Sequence, residues 1–162
     1  MTPLELIMAR RSHLDRFANE GGGKGERNAI LLNAAWTPRP KGSQLHTLLD
    51  ALTRIGKPIK ASSFDALAVP DHVNLSDPSN VEAHLTEITF IEIKTANQAR
   101  VKPGFRGFFF AITENEIAAS AALGEQHCVA LFNSITNELM LTSVPEIVSR
   151  SSSRTWQLSL QL

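Results

Sequence analysis

Between Glu87 and Lys94 the chain runs Glu-Ile-Thr-Phe-Ile-Glu-Ile-Lys, a β-branched and aromatic stretch suited to a strand. Alternation along a strand sends Glu92 and Lys94 to one face and Ile91 and Ile93 to the other. The segment from Ser63 to Val69 (Ser-Phe-Asp-Ala-Leu-Ala-Val) also reads as a strand, closed by Pro70. If the two form an antiparallel hairpin with Val69 opposite Ile88, Asp65 stands directly opposite Glu92. Directly opposed residues have Cβ atoms ~5 Å apart, so two carboxylates there repel unless a cation lies between them. Two facing, partly buried acids are costly in a purely structural sheet, and divalent magnesium converts that cost into a binding site.

The surrounding pattern fits one soluble α/β domain. With 162 residues, 43% of them hydrophobic and 20% charged, the chain suits a single core and excludes wholesale disorder. Its apolar runs fall far short of the ~20 residues a membrane span needs. Met1 to Glu5 shows no leader-like pattern, and the lone Cys128 can make no internal disulfide, so a cytoplasmic protein is expected. Leu4, Ile7, Met8 and Leu14 give helical spacing from Pro3 to about Asn19, and Gly21 to Gly25 then reads as a flexible loop. Glu26 to Trp36 reads as a helix ended by Pro38 and Pro40. Ser43 is placed to cap another, with Leu45, Leu48, Leu49 and Leu52 as its buried stripe and Gly56 past its end.

Residues 70–86 read as a polar loop. A third strand is expected from Gly107 to Ile112, then a capping box at Thr113 and Glu116 opening a helix that Gly124 stops. His127 to Phe132 and Leu139 to Leu141 are further strands, and Trp156 to Leu162 supplies an edge strand. The core order is α-β-β-β-α-β, a mixed sheet covered by helices. Residues 1–58 form a helical N-terminal part, 59–135 the core, and 136–162 a strand/helix extension.

Net charge is zero, but the charges segregate. From Ala61 to Ile93 there are six acids and no Lys or Arg; from Ile93 to Thr113 there are four bases and no acid. Carboxylates that hold divalent cations, beside bases that hold a polyanion, suit a metal-dependent phosphodiesterase. A solvated acidic loop followed by a solvated basic one is the plain alternative.

Asp65 followed by Glu92-Ile93-Lys94, set in that order of elements, resembles the core of the PD-(D/E)xK nuclease superfamily. Phe64-Asp65-Ala66-Leu67, Phe90-Ile91-Glu92-Ile93-Lys94-Thr95 and Phe109 to Glu116 further resemble the nuclease-like domain at the C-terminal end of the plant protein NO VEIN, relatives of which recur in bacterial restriction and defence systems. The resemblance spans roughly residues 60–135. It implies a restriction-endonuclease-like mixed sheet flanked by helices. It also implies a DNA endonuclease in which Asp65, Glu92 and the main-chain carbonyl of Ile93 hold Mg²⁺, with Mn²⁺ able to substitute. Lys94 would orient the attacking water and stabilise the transition state. The literal Pro-Asp dipeptide is Pro70-Asp71, so Asp71 stands as the alternative to Asp65. The further acid that the family often carries has Glu26 as its candidate, with Glu5 and Glu20 weaker. Gln98, Arg100, Lys102 and Arg106 follow the catalytic strand as candidates for phosphate contacts.

Two rivals stand beside this expectation. One is a nuclease-fold module that binds nucleic acid or protein without cutting; the other is an unrelated α/β domain whose strand charges face solvent. His72 and His84 in the acidic loop could take a transition metal, although scattered surface histidines are the plainer explanation. A domain this small presents one active site, so cutting both DNA strands calls for a homodimer or a second nicking event.

Overall fold

Four short or medium strands gather around β3, Thr89–Ala96, the β-branched run around Glu92. The computed structural model describes residues 23–155 and 160–161. The helix expected over Pro3 to Asn19 lies outside the described residues, as does most of the expected edge strand from Trp156.

In chain order the elements are α1 (residues 23–32), β1 (Trp36–Pro38), α2 (Gly42–Arg54), β2 (Ala66–Ala68), α3 (Pro78–His84), β3, α4 (Glu114–Leu123), β4 (His127–Asn133), β5 (Leu139–Thr142) and α5 (Val144–Arg150). The sheet runs β1-β2-β3-β4-β5, antiparallel throughout except for the parallel pair β3/β4. The fold is therefore mixed α/β, a five-stranded sheet flanked by helices.

Alternation along β3 divides the interior. On one face, Phe90 and Leu67 pack with Leu48 and Leu52 of α2, Val81 of α3 and Leu123 of α4. Farther along that face Ala96 joins Val129, Leu131, Phe105 and Val144 in another cluster. Glu92 and Lys94 occupy the same face between these two apolar masses, since residues 90, 92, 94 and 96 share one side of the strand. The opposite face carries Ile91 and Ile93, covered by Ala29 of α1 and flanked by Trp36, Ala130 and Phe132.

The mixed sheet flanked by helices is as expected, but the element order is not: helices separate the first three strands, giving α-β-α-β-α-β-α-β-β-α in place of α-β-β-β-α-β. The helix over 23–32 stops early, Asn33 turns the chain by accepting from Ala35 N through Oδ1, and Trp36–Pro38 becomes an edge strand pairing with β2. Pro38 is tolerated there because an edge strand can spare a donor. The N-terminal 58 residues are thus not wholly helical, since they supply one strand of the sheet. Gly23 to Gly25 belong to α1 and not to a loop. α2 begins after Lys41 without a side-chain cap, so Ser43 does not serve that role.

The strand expected over Ser63–Val69 shortens to three residues, preceded by a 3₁₀ turn at Ala61–Ser63. Residues 70–86, expected as loop, include α3, started by Pro78 and by Asp77 accepting from Ser79 N and Asn80 N. Gly107–Ile112 forms no strand. Its in-out alternation is real, because Phe108, Phe110 and Ile112 pack on the core while Phe109 lies exposed. Gly104 and Phe105 take left-handed backbone just before it and Gly107 does so at its start, and among the described residues the segment has no strand to pair with. Period-two burial needs an apolar surface; a strand also needs a ladder.

Candidate metal and nucleic-acid site

Pairing of β2 with β3 sets Ala66 opposite Ile91, Leu67 opposite Phe90 and Ala68 opposite Thr89. This is the register expected from the two strand ends, but the ladder stops at Ala66 and does not itself pair Asp65 with Glu92. Asp65 itself stands one residue before the strand. Its N–H donates to Ile91 O at 2.8 Å and its carbonyl accepts from Arg39 N at 2.8 Å, so its backbone is fixed on both sides.

Because β2 starts here, Ile93 has no strand residue to receive its N–H. The Asp65 side chain takes that place, with Oδ2 accepting from Ile93 N at 2.9 Å. A strand residue carries its N–H and carbonyl toward the same edge, so the Ile93 carbonyl also points toward this gap. Arg39 closes the back of the turn, its Nη1 donating to Ala61 O at 2.8 Å and to Phe64 O at 2.9 Å.

Glu92 is buried, with 6% of its surface exposed. Its Oε1 accepts from Lys94 Nζ at 2.9 Å, while its buried Oε2 has no hydrogen-bond partner among the described residues. Burial and then the neighbouring Asp65 charge push the Glu92 carboxyl up to about 8, against the opposing pull of Lys94. Burial also raises Asp65, although the Ile93 N–H and the Arg39 and Lys94 charges work against that rise. An orphaned carboxylate oxygen beside a second acid is the arrangement a hard divalent cation relieves, so the donor set fits Mg²⁺.

Lys94 is held by a second carboxylate, Glu116, at 2.9 Å. Burial disfavours its ammonium, but the Glu92 charge and the contacts with Glu116 outweigh this and raise its pKa. Glu116 is placed by α4. Its Oε2 accepts from Thr113 N at 3.1 Å while its own N–H donates to Thr113 Oγ1 at 3.3 Å, completing the capping box. Gly124, at φ 57°, ends that helix in a conformation suited to glycine. Asn115 Nδ2 donates to Ser62 Oγ at 3.0 Å and ties the helix start to the turn before Asp65. His127, fully buried, lies within electrostatic reach of Glu116 and Lys94 and has its Nε2 2.9 Å from Ser63 O; burial keeps its pKa low.

Glu26 extends from α1 into the same field: burial and then the Asp65 charge raise its carboxyl. The helix reaches this position because Gly25 lies against Thr95, where a Cβ would come within 2.3 Å of Thr95 Cγ2. Asp65, Glu92, Lys94 and Glu26 are therefore brought together. Asp71 is not, since it lies exposed in the turn beyond β2. Gln98, Arg100, Lys102 and Arg106 are exposed on the loop after β3, within which Lys102 N donates to Arg106 O at 3.0 Å.

Sequence reasoning did not place Glu116 or Arg39 in this cluster. Glu116 carried a visible signal, the Thr-x-x-Glu box, which accounts for a helix start and says nothing of a lysine across the sheet. Arg39 carried none. Among known proteins, no family model matches this chain, and no match is found among curated proteins or solved structures.

Proposed function

We propose that this protein is a Mg²⁺-dependent endonuclease that hydrolyses DNA phosphodiester bonds, built on the PD-(D/E)xK plan, with Mn²⁺ able to substitute. The observation that carries the proposal is the buried, unpartnered Oε2 of Glu92 set beside Asp65, with the Lys94 ammonium alongside. Asp65, Glu92 and the carbonyl of Ile93 would hold the ion, and Glu26 is placed to add a carboxylate. A bound Mg²⁺ supplies Lewis-acid stabilisation of phosphate charge and acidifies a coordinated water.

The remaining work falls to the chain. Lys94, fixed by Glu92 and Glu116, keeps its charge and offers an N–H to the attacking water or a non-bridging phosphate oxygen. Its raised pKa makes it an electrostatic element and a poor general base. Arg100, Lys102 and Arg106, with Gln98 beside them, would contact the phosphates of the bound strand and set its register without reading sequence. The setting implied by the resemblance is restriction or phage defence in the cytoplasm, where a single free thiol is at home. Among the described residues no helix is long and apolar enough to cross a membrane.

The test is cleavage of supercoiled plasmid with Mg²⁺. Lys94→Ala should abolish nicking while the circular-dichroism spectrum keeps its native form, with a lower melting point because Glu92 and Glu116 lose their counter-charge, and EDTA should abolish nicking in the native protein. Cleavage that survives either change rejects the mechanism. Salt-dependent DNA binding with no metal-dependent nicking would favour a module that binds without cutting.

A further inference from the structure

We propose a second, chemically different metal site formed by His72, His84 and Glu87, which takes a borderline divalent cation of the Zn²⁺ class and clips three segments of chain together. His72 sits in the turn after β2, His84 ends α3, and Glu87 ends the 3₁₀ turn leading into β3. His72 Nε2 lies 2.8 Å from Glu87 Oε2, and His84 Nδ1 lies 2.8 Å from Glu87 Oε1. The two imidazoles meet edge to face with centroids 4.8 Å apart, and one ligand atom from each of the three residues falls within 4.8 Å of the others. Tetrahedral donors at ~2.0–2.1 Å from a zinc ion stand about 3.3 Å from one another, so small side-chain rotations suffice to enclose one.

Two further features distinguish this cluster from a chance meeting of surface histidines. Each ligand is followed in sequence by a buried apolar anchor: Val73 after His72, Leu85 after His84 and Ile88 after Glu87, all in one core cluster. The backbone beneath the three side chains is thereby fixed before any ion arrives, although the side chains themselves are partly exposed. The segment from Ala61 to Ile93 also has no Lys or Arg, so its own sequence supplies no cation to compete for Glu87, and Arg54 of α2 is engaged by Glu82 of α3.

Donor chemistry separates the two sites. Two imidazole nitrogens and one carboxylate suit Zn²⁺, Co²⁺ or Ni²⁺, whereas Mg²⁺ prefers an all-oxygen set such as Asp65 and Glu92. Three protein ligands leave a fourth position for water. The proposal does not depend on nuclease activity.

The test uses the full chain and Zn²⁺ alone, titrated calorimetrically in excess Mg²⁺, with Co²⁺ as a spectroscopic probe. One equivalent of Zn²⁺ should bind despite the Mg²⁺, and Co²⁺ should show the visible bands of a low-coordinate site. His72→Ala with His84→Ala should weaken Zn²⁺ binding by at least about tenfold, since even loss of an outer-shell partner costs 10–100-fold. Asp65→Asn with Glu92→Gln should leave it unchanged. Should the histidine variant misfold, imidazole NMR of the native protein serves instead: Zn²⁺ should shift the His72 and His84 rings and spare His46 and His127. Zn²⁺ binding that persists without the two histidines, disappears with the acidic pair, or moves no His72 or His84 resonance overturns the proposal. Failure of plasmid cleavage would leave this result untouched.

Discussion

At the scale of single residues, Asp65 and Glu92 act against the stability of the fold that holds them. Both carboxyls are raised, Glu92 from an ordinary 4.5 to about 8, so the folded protein binds protons more tightly than the unfolded chain. Stability from this pair is complete below the unfolded value and declines as pH rises through 4.5 toward about 8. The metal-free protein should accordingly melt at lower temperature at pH 8 than at pH 5.5, and Mg²⁺ should restore part of the loss at the higher pH. Asp65→Asn keeps an oxygen for the Ile93 N–H and removes the repulsion. Its stability at pH 8 should rise by on the order of 1 kcal/mol, which lifts the melting temperature by about 2–4 °C for a chain this size, while cleavage is lost. Calorimetry across the pH range checks both statements; a metal-free melting point that climbs from pH 5.5 to 8 would contradict them. Mg²⁺ affinity should also increase with pH, because binding must expel the proton that Glu92 retains up to about pH 8.

At the scale of elements, the packing of α1 on β3 rests on Gly25. Alanine there would gain up to ~1 kcal/mol of helix propensity, but its Cβ would meet Thr95 Cγ2 at 2.3 Å and Oγ1 at 2.4 Å. Overpacking of that kind costs ~1–3 kcal/mol and wins over propensity. Gly25→Ala should therefore destabilise the protein in urea and, by displacing Glu26, weaken Mg²⁺ binding. Adding Thr95→Ala removes the two nearest atoms and should recover part of the stability; no recovery would refute the packing account. The same element shows what a one-dimensional pattern conveys. A glycine run looks like a break, and only the approach of a threonine from another strand makes it a helix surface. Glu92 and Lys94 were legible because strand alternation is local, and Asp65 because hairpin register follows from two strand ends. Glu116 stayed hidden since its bond to Lys94 spans 22 residues, and the Phe108 alternation misled because burial and ladder pairing are separate requirements.

For the whole molecule, the relevant quantity is where charge lies, since the total is zero. The bases at Arg100, Lys102 and Arg106 stand on an exposed loop after the strand that carries Glu92 and Lys94. Replacing Arg100 or Arg106 with alanine should weaken DNA binding similarly for all sequences and flatten the dependence of log K on log salt by about 1 for each phosphate no longer neutralised. Fluorescence anisotropy at several salt concentrations measures this, and an unchanged slope would remove the loop from the interface. Under the proposed function, a single carboxylate cluster among the described residues would cut one strand at a time. Nicked circles should precede linear product at low protein concentration, and linearisation should become concerted only where the protein dimerises.

Glu116 has two occupations: it caps the first turn of α4, and it anchors the amine of Lys94. One carboxylate thus couples the start of a helix to the placement of the lysine that the proposed reaction would use. If the opening of α4 frays, Lys94 is left tethered by Glu92 alone while every strand of the sheet remains in place. Warming or mild denaturant would then disarm the protein while spectroscopy still reports an intact β-sheet.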